Sequence, residues 1–146
     1  MLRQAILTGI LFIATVVGCQ VDDIVVEVFG HDQAIVVHLQ YEGSQMPVAL
    51  TDIVIQDSNN GSTVWELKSY DPSIVLEKRH EHFDFDKLKQ LPIQSVVVSE
   101  FRLGNVPDGF KQYFPLRDEK PMLSVEKEYE ILVVGAGHRG RAKFKM

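Results

Sequence analysis

The densest group of possible metal ligands is His80-Glu81-His82, followed closely by Asp84 and Asp86. On an extended strand His80, His82, Asp84 and Asp86 project to one face. Two imidazoles and a carboxylate, taken from His80, His82 and Asp84, could hold zinc if the imidazoles are neutral and outer hydrogen bonds orient them. The same alternation sends Glu81, Phe83 and Phe85 to the opposite face. That pattern also fits a strand with one apolar face inward and one polar face in water, and this plainer reading is favoured. There is no His-Glu-x-x-His pair and no set of cysteine ligands, so no metal centre or other cofactor is expected. A Gly-x-Ser-x-Gly nucleophile elbow is absent too, and no catalytic residue is assigned. His31, His38 and His138 have no readable partners.

Gly135-x-Gly137-x-x-Gly140 follows the apolar run EILVV and resembles a dinucleotide fingerprint. That site needs a helix opening at the last glycine and an acidic residue ~20 positions on. Six residues follow Gly140, and RAKFKM alternates as a strand does. The glycines are therefore read as the loop of a final β-hairpin, with no dinucleotide bound. Asn60-Gly61-Ser62 has the form of a glycosylation sequon but reads better as hairpin turn chemistry. In LGNVPDGFKQYFP (103–115) the aromatics Phe110, Tyr113 and Phe114 crowd a stretch with no clear strand. They either pack into the edge of the domain or form a partner-binding patch.

The chain opens MLRQAILTGILFIATVVGCQ. Arg3 is the one charge before an uncharged run over 5–17. Thirteen residues are too few for a spanning helix, which needs roughly 20, but suit a secretory signal. The end of the run, Val16-Val17-Gly18-Cys19, resembles the lipobox of bacterial lipoprotein precursors. The resemblance implies cleavage before Cys19, acylation of its thiol and retention at a membrane; Val in place of the commoner Leu at 16 is a tolerated variant. Gln20, where Asp would signal inner-membrane retention, implies outer-membrane sorting. Cys19 is the only cysteine. One acyl chain anchors marginally and two or more hold stably. A lone thiol in an oxidising compartment would otherwise be a liability.

These features divide the chain into a signal at 1–18, an acylated Cys19 with a short tether to 23, and one domain over 24–146. Cleavage leaves 128 residues with 14 basic and 20 acidic side chains, a net charge of −6. That acidity argues against nucleic acid as the main partner.

The elements that must position these residues read as strands. VDDIVVEVF (21–29) and QAIVVHLQY (33–41) form a hairpin about Gly30-His31-Asp32, with His38 and Gln40 opposite Val37 and Leu39. LTDIVIQ (50–56) and TVWELKS (63–69) flank the turn signal Asn60-Gly61. A short strand at 74–76 and a helical turn at 86–91 are less regular. IQSVVVSEFRL (93–103) is one clear strand, 108–123 is a long connection, and 128–134 and 141–146 close the chain. Seven or eight strands with almost no helix predict an all-β sandwich or a small barrel. Leu123, six residues before Tyr129, resembles the tyrosine corner of fibronectin type III and related immunoglobulin-like domains; Val125-Glu126 replaces the usual Pro-Gly. The resemblance implies an immunoglobulin-like sandwich and says nothing of function. The expected role is a lipid-anchored envelope module that acts by binding an envelope protein or a glycan. The alternative is a small metal-binding protein or enzyme using the His80 to Asp86 face.

Overall fold

The computed structural model describes residues 21–30, 34–71, 94–116 and 119–146. Cys19 with its lipobox, Gln20, His31, the ligand group His80, His82 and Asp84, and the elements expected at 74–76 and 86–91 lie outside the described residues.

The described residues form strands and no helix. In chain order these are β1 (Val21–Asp22), β2 (Ile24–Phe29), β3 (Val36–Tyr41), β4 (Val48–Leu50), β5 (Asp52–Asp57), β6 (Thr63–Lys68), β7 (Val96–Val98), β8 (Glu100–Arg102), β9 (Lys111–Phe114), β10 (Glu128–Val134) and β11 (His138–Lys145). A six-stranded sheet has the order β1-β11-β10-β5-β6-β9. A three-stranded sheet runs β2-β3-β8, and β4 pairs with β7. Every pairing is antiparallel except β1 with β11.

Period-two patterning explains these elements. β5 buries Ile53, Ile55 and Asp57 and turns Asp52, Val54 and Gln56 outward. β10 buries Tyr129, Ile131 and Val133. On β3, Val37 and Leu39 are buried and His38 is exposed, as the alternation predicts. The buried faces of the sheets share one apolar core: Ile24, Val37, Leu39 and Phe101 from one side meet Ile53, Ile55, Trp65, Leu67, Ile131 and Val133 from the other. Trp65 and Phe101 bridge the layers with ring centroids 6.3 Å apart. The arrangement is sandwich-like, and each such side chain stabilises it by about 1.5–3 kcal/mol on burial.

Four elements differ from the sequence expectation. The strand expected over 50–56 is split at Thr51, Leu50 ending β4 and Asp52 opening β5. The stretch 21–29 is not one strand: it leaves the six-stranded sheet at Asp23 and enters the other as β2. The run expected as a single strand over 93–103 changes partner at Ser99, β7 serving β4 and β8 serving β3. The expected long connection over 108–123 contains β9, paired to β6.

The final hairpin forms, but its loop is shorter than 135–140. Gly135 N–H donates to the His138 carbonyl (2.8 Å), so Ala136 and Gly137 alone make the turn, and Gly137 has φ 79°. Gly140 is inside β11 and buried. A Cβ there would overlap the Ile24 carbonyl oxygen, and one at Gly135 would overlap that of Ala49. These two glycines let backbone pass against backbone.

The β5–β6 turn is the expected Asn60-Gly61 device. Gly61 has φ 70°, and the Asn60 side chain accepts from Ser62 N–H (2.8 Å). Asp57 opens the turn by accepting from Asn59 N–H (2.9 Å), with Lys127 Nζ at 3.3 Å. The Asn59 bond, aided by Lys127, holds the Asp57 carboxyl below its ordinary value of 3.8 against the opposing effect of burial.

Gly140→Ala should therefore cost about 3 kcal/mol, the upper range for overpacking, read as a fall in urea midpoint at unchanged m-value. Stability from Asp57 should be fully present above pH 3.8. It should be lost as pH falls through the lower folded value. Asp57→Asn should flatten that part of the acid limb in pH-dependent denaturation.

Candidate functional site: a cleft beside β9

A concavity with a volume of about 720 Å³ runs beside β9. Its wall comes from Phe110, Gln112 and Tyr113. Gly104 and Val106 close it from the segment after β8, Leu116, Glu119 and Lys120 from the loop after β9, and Asp71 from beyond β6.

One side chain organises this site. Trp65 is fully buried, so its indole N–H needs an acceptor. Gln112 supplies it: Trp65 Nε1 donates to Gln112 Oε1 at 2.7 Å. The Gln112 amide then donates outward, to the carbonyls of Pro115 (3.0 Å) and Glu119 (2.7 Å). The loop after β9 is thus tied to the core through one amide. The Phe114–Pro115 peptide bond is cis.

The aromatics singled out from the sequence take three different places. Phe110 is packed in the core at 7% exposure. Tyr113 is half-buried, and its hydroxyl donates to the Tyr70 carbonyl (3.2 Å). Phe114 is 46% exposed, on the outer face of the sheet opposite Glu66. The apolar surface offered to a visitor comes mainly from Leu116 (77% exposed) and Val106, which the sequence reading did not single out. Nothing in their local pattern marks them, since both are loop residues.

A polar cluster lies beside the cleft. Lys68 Nζ sits 2.8 Å from both Asp52 and Glu66. Burial alone would lower its pKa, but these two carboxylates override that and raise it above the ordinary lysine value. Tyr70 donates to Asp52 (3.3 Å), and burial together with the Asp52 charge raises its phenol pKa above 10.0. All of these groups are held in protein-protein bonds, so the cluster reads as structural support for the cleft wall.

The lining carries cations at Lys111 and Lys120 and anions at Asp71 and Glu119. Among the described residues the lining has no Ser, Thr, Cys or His. Chemically these groups can bind, through apolar contact and charges of both signs. Among the described residues no group of three or more His, Cys, Asp or Glu is placed to hold a metal ion, and no helix is long and apolar enough to cross a membrane. Comparison with family models, with curated proteins and with solved structures finds no match to this chain.

Gln112→Leu should orphan the buried Trp65 N–H and release the loop carbonyls together. We expect about 1–3 kcal/mol of destabilisation. Hydrogen exchange should show faster amide exchange over 116–120 than over β10.

Proposed function

We propose that this chain is a lipid-anchored bacterial envelope module of immunoglobulin-like design that acts by binding an envelope protein or a glycan. The observation that carries the binding reading is the cleft beside β9. It is backed by a core-anchored amide, rimmed by the exposed side chains Leu116 and Val106, and equipped with charges of both signs.

Strand order supports the immunoglobulin-like reading. In that design the first, second and fifth strands neighbour one another in one sheet, and the third, sixth and seventh in the other. Here β2, β3 and β8 take the first set and β5, β10 and β11 the second, with β6 and β9 added beyond β5 and β1 beyond β11. Tyr129, the second residue of β10, accepts a hydrogen bond from Ser124 N–H (2.7 Å), the contact that a tyrosine corner requires. The anchor reading rests on Val16-Val17-Gly18-Cys19 and on Cys19 being the only cysteine.

Fractionation of cells producing the full chain tests both parts. Cys19→Ser should move the protein from membrane to soluble fractions and abolish incorporation of labelled palmitate; a labelled, membrane-bound Cys19→Ser protein would sink the anchor. Val106→Asp/Leu116→Asp should stay anchored and folded while losing the partner captured by in-cell crosslinking. Unchanged capture would sink the cleft.

A further inference from the structure

We propose that one end of the domain is a lipid-contact surface, formed by the loop at 42–47 and the turn at 135–137, with Met46 as its inserted side chain. The proposal rests on the Cys19 anchor, and its occupant is the membrane surface itself.

Chain length sets the geometry. Val21 already pairs with His138, and Cys19 lies only two residues before it. Two residues span at most ~7 Å, so Val21 lies within that distance of the Cys19 backbone, whose side chain carries the lipid. Because β1 runs parallel to β11, the chain enters the sheet beside the start of β11. The end facing the anchor is therefore the one carrying the β10–β11 turn.

The loop at 42–47 belongs to the same end. Glu42 N–H donates to the Asp23 carbonyl (2.7 Å), and the rings of Tyr41 and His138 meet edge-on at 5.2 Å. Gly135 packs directly against the Ala49 carbonyl, just past the loop. Loop and turn thus stand side by side around the point where the chain enters.

Their chemistry fits lipid headgroups. Gly135-Ala136-Gly137 and Gly43-Ser44-Gln45-Met46-Pro47 carry no charge, in a chain where 24% of residues are charged. Met46 is 67% exposed, and its N–H is held by the Ser44 hydroxyl at 3.1 Å, which curls the loop and presents the thioether. An acidic protein is repelled by an anionic surface, but here the nearest carboxylates each have a side-chain partner. Asp22 is paired with the Arg139 guanidinium, and Asp23 Oδ2 lies 2.7 Å from His138 Nδ1. Glu42, exposed, stands at the outer start of the loop.

The test uses the acylated full chain in vesicles of phosphatidylethanolamine and phosphatidylglycerol. Acylation consumes the native thiol, so a fluorophore can be placed at Met46→Cys or Ala136→Cys alone. Asn60→Cys, in the β5–β6 turn at the other end, is the control. Headgroup-nitroxide lipids should quench the labels at 46 and 136 about twofold or more over that at 60. A contacting face sits ~5–10 Å into the interface, whereas the far end stands off by a six-residue strand, roughly 20 Å. Equal quenching at the three positions in co-floating protein would overturn the surface and leave the anchor standing. Failure to co-float would remove both. Shielding at 46 that grows with protein concentration at fixed lipid would assign the face to a second copy and overturn the proposal.

Discussion

The indole N–H of Trp65 is the polar group on which the cleft side of the molecule depends. Trp65 fills the centre of the core, and an unpaired donor there would cost more than a typical hydrogen bond gains. Its acceptor is Gln112, on β9. Meeting that requirement fixes β9 against β6, and the remaining donors of the same amide then shape the loop after it. Core and cleft are one hydrogen-bonded system. The cleft is a by-product of satisfying a core tryptophan, which gives it a rigid back wall and a loop-built front.

The strands that a reader can find in the sequence are those in which local pattern and tertiary role agree. DIVIQD, TVWELK and EYEILVV alternate because one of their faces is core. KQYF does not alternate, lies between Gly109 and Pro115, and becomes a strand only because Gln112 and the edge of β6 hold it there. The partner change at Ser99 is equally silent in sequence: VVVSEFR is β-rich throughout, and nothing local says which neighbour each half will take. The glycines mislead in a different way. Gly137 serves the backbone freedom that turns demand, whereas Gly135 and Gly140 serve clearance, which depends on segments more than eighty residues away. The cleft was the least legible part. Proximity in sequence suggested that Phe110, Tyr113 and Phe114 act together, yet the chain turns at Phe110 before β9 begins, so core, hydroxyl bond and solvent each claim one ring.

The outer face of the six-stranded sheet shows how an acidic chain manages its charge. Across one row, Arg139, Val134, Asp52, Lys68 and Lys111 lie on successive strands, and the next row reads Arg141, Leu132, Val54, Glu66 and Phe114. Val134, Leu132 and Val54 are apolar in these rows, and the opposite charges of Asp52 and Lys68 fall on neighbouring strands, with Glu66 beside Lys68. Exposed pairs such as Lys143 with Glu128 contribute little. The half-buried Lys68 differs, because its two carboxylates compensate a desolvated ammonium and keep it charged.

The pairing of β3 and β4 with one run of chain has a consequence for how the protein can vary. Val36–Leu39 and Val48–Leu50 align along β8 and β7 in continuous register, bridged by the bond from Leu39 N–H to the Ser99 carbonyl. Residues 40–47 thus lie outside that ladder: Gln40 and Tyr41 still pair with β2, and 42–47 form an excursion between the two strands. Residues added to or removed from it shift no neighbour between core and solvent, and closing a longer loop costs only about 0.6 kcal/mol per doubling. Here the chain has a register-neutral site of insertion, where length can drift or foreign sequence be grafted while the two layers stay as they are.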